Sequence, residues 1–165
     1  MKVYTFLTDG FETVEALAVI DILRRAGIEV ETVSITGNEQ VCSAQNITVK
    51  ADTLFKAQPV CKEDVLFLPG GPGHKQYNEC KPLLKLLEKH HAEGGRIAAI
   101  CAAPSILGHL GILNGKKATA FPGFEKDLTG AEVLTAPVKV VTDGNITTAR
   151  AWGLLLNSDL NLSDY

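Results

Sequence analysis

Long apolar runs are missing from this chain, and that excludes a membrane-spanning helix, which needs about 20 consecutive apolar residues. The N-terminal stretch turns polar at Thr8-Asp9, too early for the apolar segment of a secretory leader, so no targeting segment is expected. Basic runs are also absent. With a net charge of −3 and only 6% aromatic residues, the chain offers no electrostatic or stacking footprint for nucleic acid. The four cysteines, Cys42, Cys61, Cys80 and Cys101, show neither CxxC spacing nor histidines at zinc-ligand spacing. Neither a disulfide framework nor a metal site is expected, and a reducing cytoplasm is the simplest setting. Internal repeats and low-complexity linkers are lacking too, and 165 residues suit a single domain with a sizeable core.

What is present is an alternation of buried strands and amphipathic helices. Residues 2–7, 29–35, 64–68 and 96–100 read as strands, while 12–26 and 81–93 have helical periodicity and end at Gly27 and Gly94-Gly95. Residues 41–43 and 47–49 read as a short hairpin, and 117–120, 138–141 and 145–148 as later strands. The alternation predicts an α/β chain with a mostly parallel sheet covered by helices on both faces. Ligands of such sheets sit at the carboxyl ends of the strands.

Three loops at that end carry chemistry. The run Arg96-Ile97-Ala98-Ala99-Ile100 breaks at Cys101 and continues as Ala102-Ala103-Pro104, the pattern of a sharp strand-to-helix elbow whose crowding only small neighbours relieve. A helix from Ala102 to Leu110 would place the thiol at its positive end and lower its pKa. The competing reading is an inert buried cysteine. Glu15 falls on the apolar face formed by Val14, Leu17, Ala18, Ile20, Ile22 and Leu23, an unusual place for a carboxylate without a partner. Its alternative is a solvated helix charge. That face is broad enough to cover both a sheet and a partner subunit. Pro69-Gly70-Gly71-Pro72-Gly73 permits close backbone approach and free N–H groups, the ingredients of an oxyanion hole, with an ordinary tight turn as the alternative. It lacks the lysine and hydroxyl of a phosphate-binding P-loop.

Gly10-Phe11-Glu12-Thr13-Val14-Glu15-Ala16, Leu68-Pro69-Gly70-Gly71 and Ala98-Ala99-Ile100-Cys101-Ala102-Ala103-Pro104, in this order, resemble the ThiJ/PfpI superfamily and its DJ-one-like branch. The resemblance implies a flavodoxin-like fold, Cys101 as the reactive nucleophile and Glu15 as its carboxylic-acid partner. It assigns the oxyanion contacts to the backbone N–H groups of Gly71 and Ala102, and it implies a homodimer without a cofactor. Two departures follow. Ala102 stands where the peptidase-like branch has a histidine, which counts against a peptidase, and Phe121 stands where the DJ-one-like branch often has one. His74 is the histidine nearest a site loop, expected on the loop surface, with the crevice as the alternative. Gly70, His74 and Phe121 are the candidate lining residues. The implied activity is cofactor-free chemistry on reactive aldehydes, of glyoxalase or deglycase type, with a small reactive carbonyl or a glycated protein or nucleotide as substrate. The alternative is a redox-sensing, chaperone-like stress protein acting through reversible oxidation of Cys101.

The resemblance breaks at Ala151. Relatives follow the Thr-Thr-Ala-Arg segment, here Thr147 to Arg150, with a glycine-rich turn and a last amphipathic helix of the type Gly-Met-Gly-Thr-Ala-Ile-Glu-Phe. Codons compatible with Ala151-Trp152-Gly153-Leu154-Leu155-Leu156-Asn157, read one base out of frame, permit Met, Gly, Thr, Ala, Ile and Glu in that order. A single-base shift near Arg150 that leaves an atypical 151–165 tail and bare sheet surface is the expectation.

Overall fold

The computed structural model describes residues 1–56 and 60–151. The chain opens with β1 (Lys2–Leu7), α1 (Thr13–Arg25) and β2 (Glu29–Ser34). An antiparallel pair, β3 (Gln40–Cys42) and β4 (Thr48–Lys50), precedes β5 (Thr53–Leu54) and β6 (Val65–Leu68). A 3₁₀ turn, Pro72–His74, leads into α2 (Lys75–Glu79) and α3 (Lys81–Ala92). Then come β7 (Arg96–Ile100), α4 (Pro104–His109), β8 (Lys117–Ala118), β9 (Glu132–Val133), β10 (Val140–Asp143) and β11 (Ile146–Ala149).

Seven strands form the main sheet in the order β10-β11-β7-β6-β1-β2-β5, and every pairing but β10 with β11 is parallel. This is the mostly parallel, helix-covered α/β architecture expected of the sequence. The run of residues 117–120 pairs instead with β9, in a separate two-stranded sheet. Side chains of the central strands alternate between two cores. Tyr4, Phe6, Leu66, Leu68, Ile97 and Ala99 pack on one face, while Val3, Leu7 and Phe67 pack on the other with Ala16 and Ile20 of α1. Because both faces are covered, these strands read as continuous apolar runs rather than alternating ones. Each fully buried Leu or Phe contributes about 1.5–3 kcal/mol.

α1 leaves Val14 and Ile22 exposed on its outer side. An apolar cavity of about 350 Å³ opens between Val19, Leu23 and Ile28 on the α1 side and Phe67, Ala98 and Ile100 of the sheet. Residues 152–165, where the altered tail is expected, lie outside the described residues.

Candidate active site

Strand order sets the site. β6 lies between β1 and β7, so the loops that follow these three strands emerge side by side. The first pair is zipped by backbone: Glu12 N–H donates to Gly70 O at 2.9 Å and Gly73 N–H to Gly10 O at 2.9 Å. Gly71 has φ +98°, and a Cβ there would overlap the backbone of Gly10 to Glu12, so the close approach requires glycine. Tyr77 anchors the loop from beneath, its buried hydroxyl near both Phe6 O (2.9 Å) and Pro69 O (3.2 Å).

Cys101 occupies the third loop with φ +65°, a left-handed conformation that costs a non-glycine residue about 1 kcal/mol or more. Its N–H donates to Ala149 O at 2.9 Å and its carbonyl accepts Phe121 N–H at 2.8 Å, so β11 and the 121 loop clamp the elbow. A Cβ at Gly70 would overlap Cys101 Cβ, which makes a bare glycine the condition for thiol and loop to meet. Glu15, 2% exposed, enters from the first turn of α1 and accepts Gly70 N–H on Oε2 at 3.0 Å. It is a buried partnered group, not a solvated helix charge.

The Glu15 side chain and the backbone N–H groups of Gly71 and Ala102 all act on the Cys101 sulfur. Burial first, and then a Glu15 carboxylate, push the thiol up to about 12, while the two N–H groups pull it down. This corrects the expectation of a thiol acidified by a helix end. α4 begins only at Pro104 and runs for 6 residues, too short and too far along to supply that field. Glu15 makes its upward push as a carboxylate. A proton on Glu15 removes the repulsion and turns the carboxyl into a third donor to sulfur, so the two groups titrate as a pair around one proton.

A cavity of about 440 Å³ opens over the sulfur, lined by Glu12, Glu15, Gly71, Pro72, His74, Cys101, Ala102, Phe121, Phe124 and Ala151. His74 is not a surface-loop residue: it is 8% exposed, Nδ1 lies 2.9 Å from Gly71 O, and its ring meets Phe124 edge-on at 5.2 Å. The structure thus brings Cys101, Glu15, Gly71, Ala102, His74 and Phe121 around one cavity, with Gly70 immediately behind the thiol. Glu12, Pro72, Phe124 and Ala151 were not among the candidates. Glu12 lies inside the Gly10 to Ala16 motif and was legible there, whereas nothing in the sequence around Phe124 signals a site.

The sequence model of the DJ-1/PfpI family matches residues 1–162. The chain belongs to that family. It is 36% identical to the DJ-1 homolog B of Arabidopsis thaliana over 98% of its own length, and spans 37% of that longer relative. A protein named deglycase from Pyrococcus abyssi is 31% identical, with 93% of this chain and 92% of the relative covered. The crystal structure of Drosophila melanogaster DJ-1beta superimposes with a TM-score of 0.85 at 33% identity, over 93% of this chain and 83% of that one. The family's flavodoxin-like α/β fold is therefore this chain's fold. No helix among the described residues is long and apolar enough to cross a membrane.

Proposed function

We propose that the chain is a cofactor-free enzyme of reactive-carbonyl defence, in which Cys101 adds to aldehydes such as methylglyoxal and Glu15 manages the proton. The observation that carries this reading is geometric: Cys101, Glu15, Gly71 and Ala102 meet around one cavity, and the thiol and the Glu15 carboxyl both abut Gly70. Two backbone N–H groups that favour a thiolate, with a carboxyl beside them able to hold the proton, suit a nucleophilic sulfur. The 31% identity to a Pyrococcus protein named deglycase supports the same class.

The thiolate attacks the aldehyde carbon, an S–C bond forms, and the carbonyl π pair moves to oxygen. Gly71 and Ala102 N–H serve the charge as it passes from sulfur to that oxygen, which then takes the Glu15 proton to give a hemithioacetal. The hydrogen on the sulfur-bearing carbon moves to the neighbouring carbon, which converts the adduct to a thioester. Water hydrolyses it, lactate leaves, and the thiolate and the Glu15 proton are restored. The net change is addition of one water to methylglyoxal. The cavity of about 440 Å³ admits such a substrate easily and leaves room for a glycated side chain.

Exposed Val14 and Ile22 on α1 support a homodimer built on that helix, and the cytoplasm suits a site that depends on a free thiol. Incubation with methylglyoxal, following lactate beside Cys101→Ser, tests the function. Turnover by the parent and loss of at least ~100-fold in the variant are expected. Equal rates would remove Cys101 from the reaction. Thiol oxidation with no turnover would favour the redox-sensing alternative, which the same partly open sulfur supports.

A further inference from the structure

The carbonyl reading leaves one step without a residue, the transfer of hydrogen between the two carbons, and the following assignment rests on that reading. Besides Cys101 itself, three titratable side chains among the described residues line the cavity: Glu12, Glu15 and His74. Glu12 Oε2 accepts from Gln45 Nε2 at 3.3 Å, while Glu15 is engaged with Gly70 N–H and the Cys101 sulfur. His74 differs. Gly71 O can only accept, so the 2.9 Å contact fixes the hydrogen on Nδ1, and in the neutral ring Nε2 carries the lone pair. Nε2 has no hydrogen-bond partner among the described residues, and Phe124 holds the ring edge-on in the cavity wall.

A ring with its tautomer set by the backbone, held by an aromatic neighbour and lining the cavity that also holds the nucleophile is placed for proton transfer. Glu15 attends the sulfur and the first oxygen. A dicarbonyl has a second oxygen and an adjacent carbon, and a second acid–base group in the same cavity would serve them. We infer that His74 is a further catalytic residue, whose Nε2 takes the proton from the sulfur-bearing carbon and returns it to the neighbouring carbon. Loss of that proton puts the C–H electron pair into a new C–C double bond and sends the ketone π pair to the second oxygen, giving an enediolate. As that proton returns at the next carbon, the hydroxyl proton of the sulfur-bearing carbon passes to the second oxygen, which leaves the thioester carbonyl beside a hydroxyl, and His74 ends neutral as it began.

Two variants of the whole chain separate this role from a structural one. His74→Asn keeps an N–H near the Nδ1 position for Gly71 O and removes Nε2, whereas His74→Gln places an amide near Nε2 that hydrogen-bonds without accepting a proton. With methylglyoxal, both are expected to lower kcat by about 100-fold or more and to leave KM and iodoacetamide labelling of Cys101 within about threefold. Intact mass should show the Cys101 adduct accumulating in both. A His74→Asn enzyme within about threefold of the parent kcat overturns the role while the carbonyl reading stands. Loss of Cys101 labelling in both variants also overturns it, by showing the ring to be a prop for the Gly71 loop. A parent that forms no Cys101 adduct overturns the carbonyl reading, and this role with it.

Discussion

Replacing Glu15 by Gln separates the two places where the shared proton can reside. The amide fits the same slot: its oxygen accepts the Gly70 N–H that now meets Oε2 at 3.0 Å, and its N–H donates to the sulfur. Stability should therefore change by less than about 1 kcal/mol. If the resting parent holds the proton on Glu15, Gln leaves a thiolate with three neutral donors, and iodoacetamide labelling at pH 7–8 stays within about tenfold of the parent. If Glu15 is ionised instead, its charge opposes the thiolate, by about 4 kcal/mol for two unit charges roughly 4 Å apart at an effective dielectric of 20. Screening in a part-open site trims that to roughly 1.5–3 kcal/mol, so removing the charge would accelerate labelling by about 10- to 100-fold. Turnover answers a second question, because an amide cannot shuttle a proton. Lactate formation should fall by about 100-fold or more while labelling persists. Accelerated labelling would refute the placement of the proton, and unchanged turnover would remove Glu15 from the reaction.

Gly70→Ala should fold but drive the Cys101 and Glu15 side chains apart, because the new Cβ overlaps Cys101 Cβ and presses on Glu15 Oε2. Denaturant melts should show a loss of about 1–3 kcal/mol, with carbonyl turnover reduced far more than the fold. Asp52 is a second, purely structural test: burial opposes its charge, but the Thr32 N–H (2.9 Å), the Thr32 hydroxyl (2.7 Å) and Arg24 (2.7 Å) hold its carboxyl below the ordinary range. Its contribution is thus complete above the unfolded carboxylate pKa of about 3.9 and disappears as pH falls through the lower folded value. Asp52→Ala should cost about 1 kcal/mol at pH 7, since the side chain is half exposed, and the gap to the parent should close below about pH 4 in urea melts.

Much of this architecture is legible in the sequence because strands buried on both faces are written as unbroken apolar runs. Residues 2–7, 64–68 and 96–100 needed no partner to be recognised. Residues 117–120 also read as a strand, yet only Lys117–Ala118 is one, paired with β9 in a two-stranded side sheet, a choice made by tertiary packing that no local pattern records. α2 was missed because its 5 residues are too few for a helical period. At the site, Cys101, Glu15 and Gly71 were legible through the spacing of three motifs on adjacent strands. The thiol's electrostatics were not. Helix-end reasoning treats the elbow as the first residue of a helix, but Cys101 sits at φ +65° with α4 starting three residues later, so burial and Glu15 govern the thiol instead. The cavity position of His74 was equally hidden, because it depends on a 3₁₀ turn that folds Pro72–His74 back over Gly71.

The central claim is that Cys101 carries the charge and Glu15 the proton in the resting protein. Thiolate absorbance near 240 nm, taken as the difference between the parent and Cys101→Ser across pH, reports it directly. The account predicts an excess equal to one thiolate at pH 7, lost on acidification as the pair takes up its second proton. An excess that appears only in strongly alkaline solution, toward the value of about 12 that burial and an ionised Glu15 impose, would contradict it.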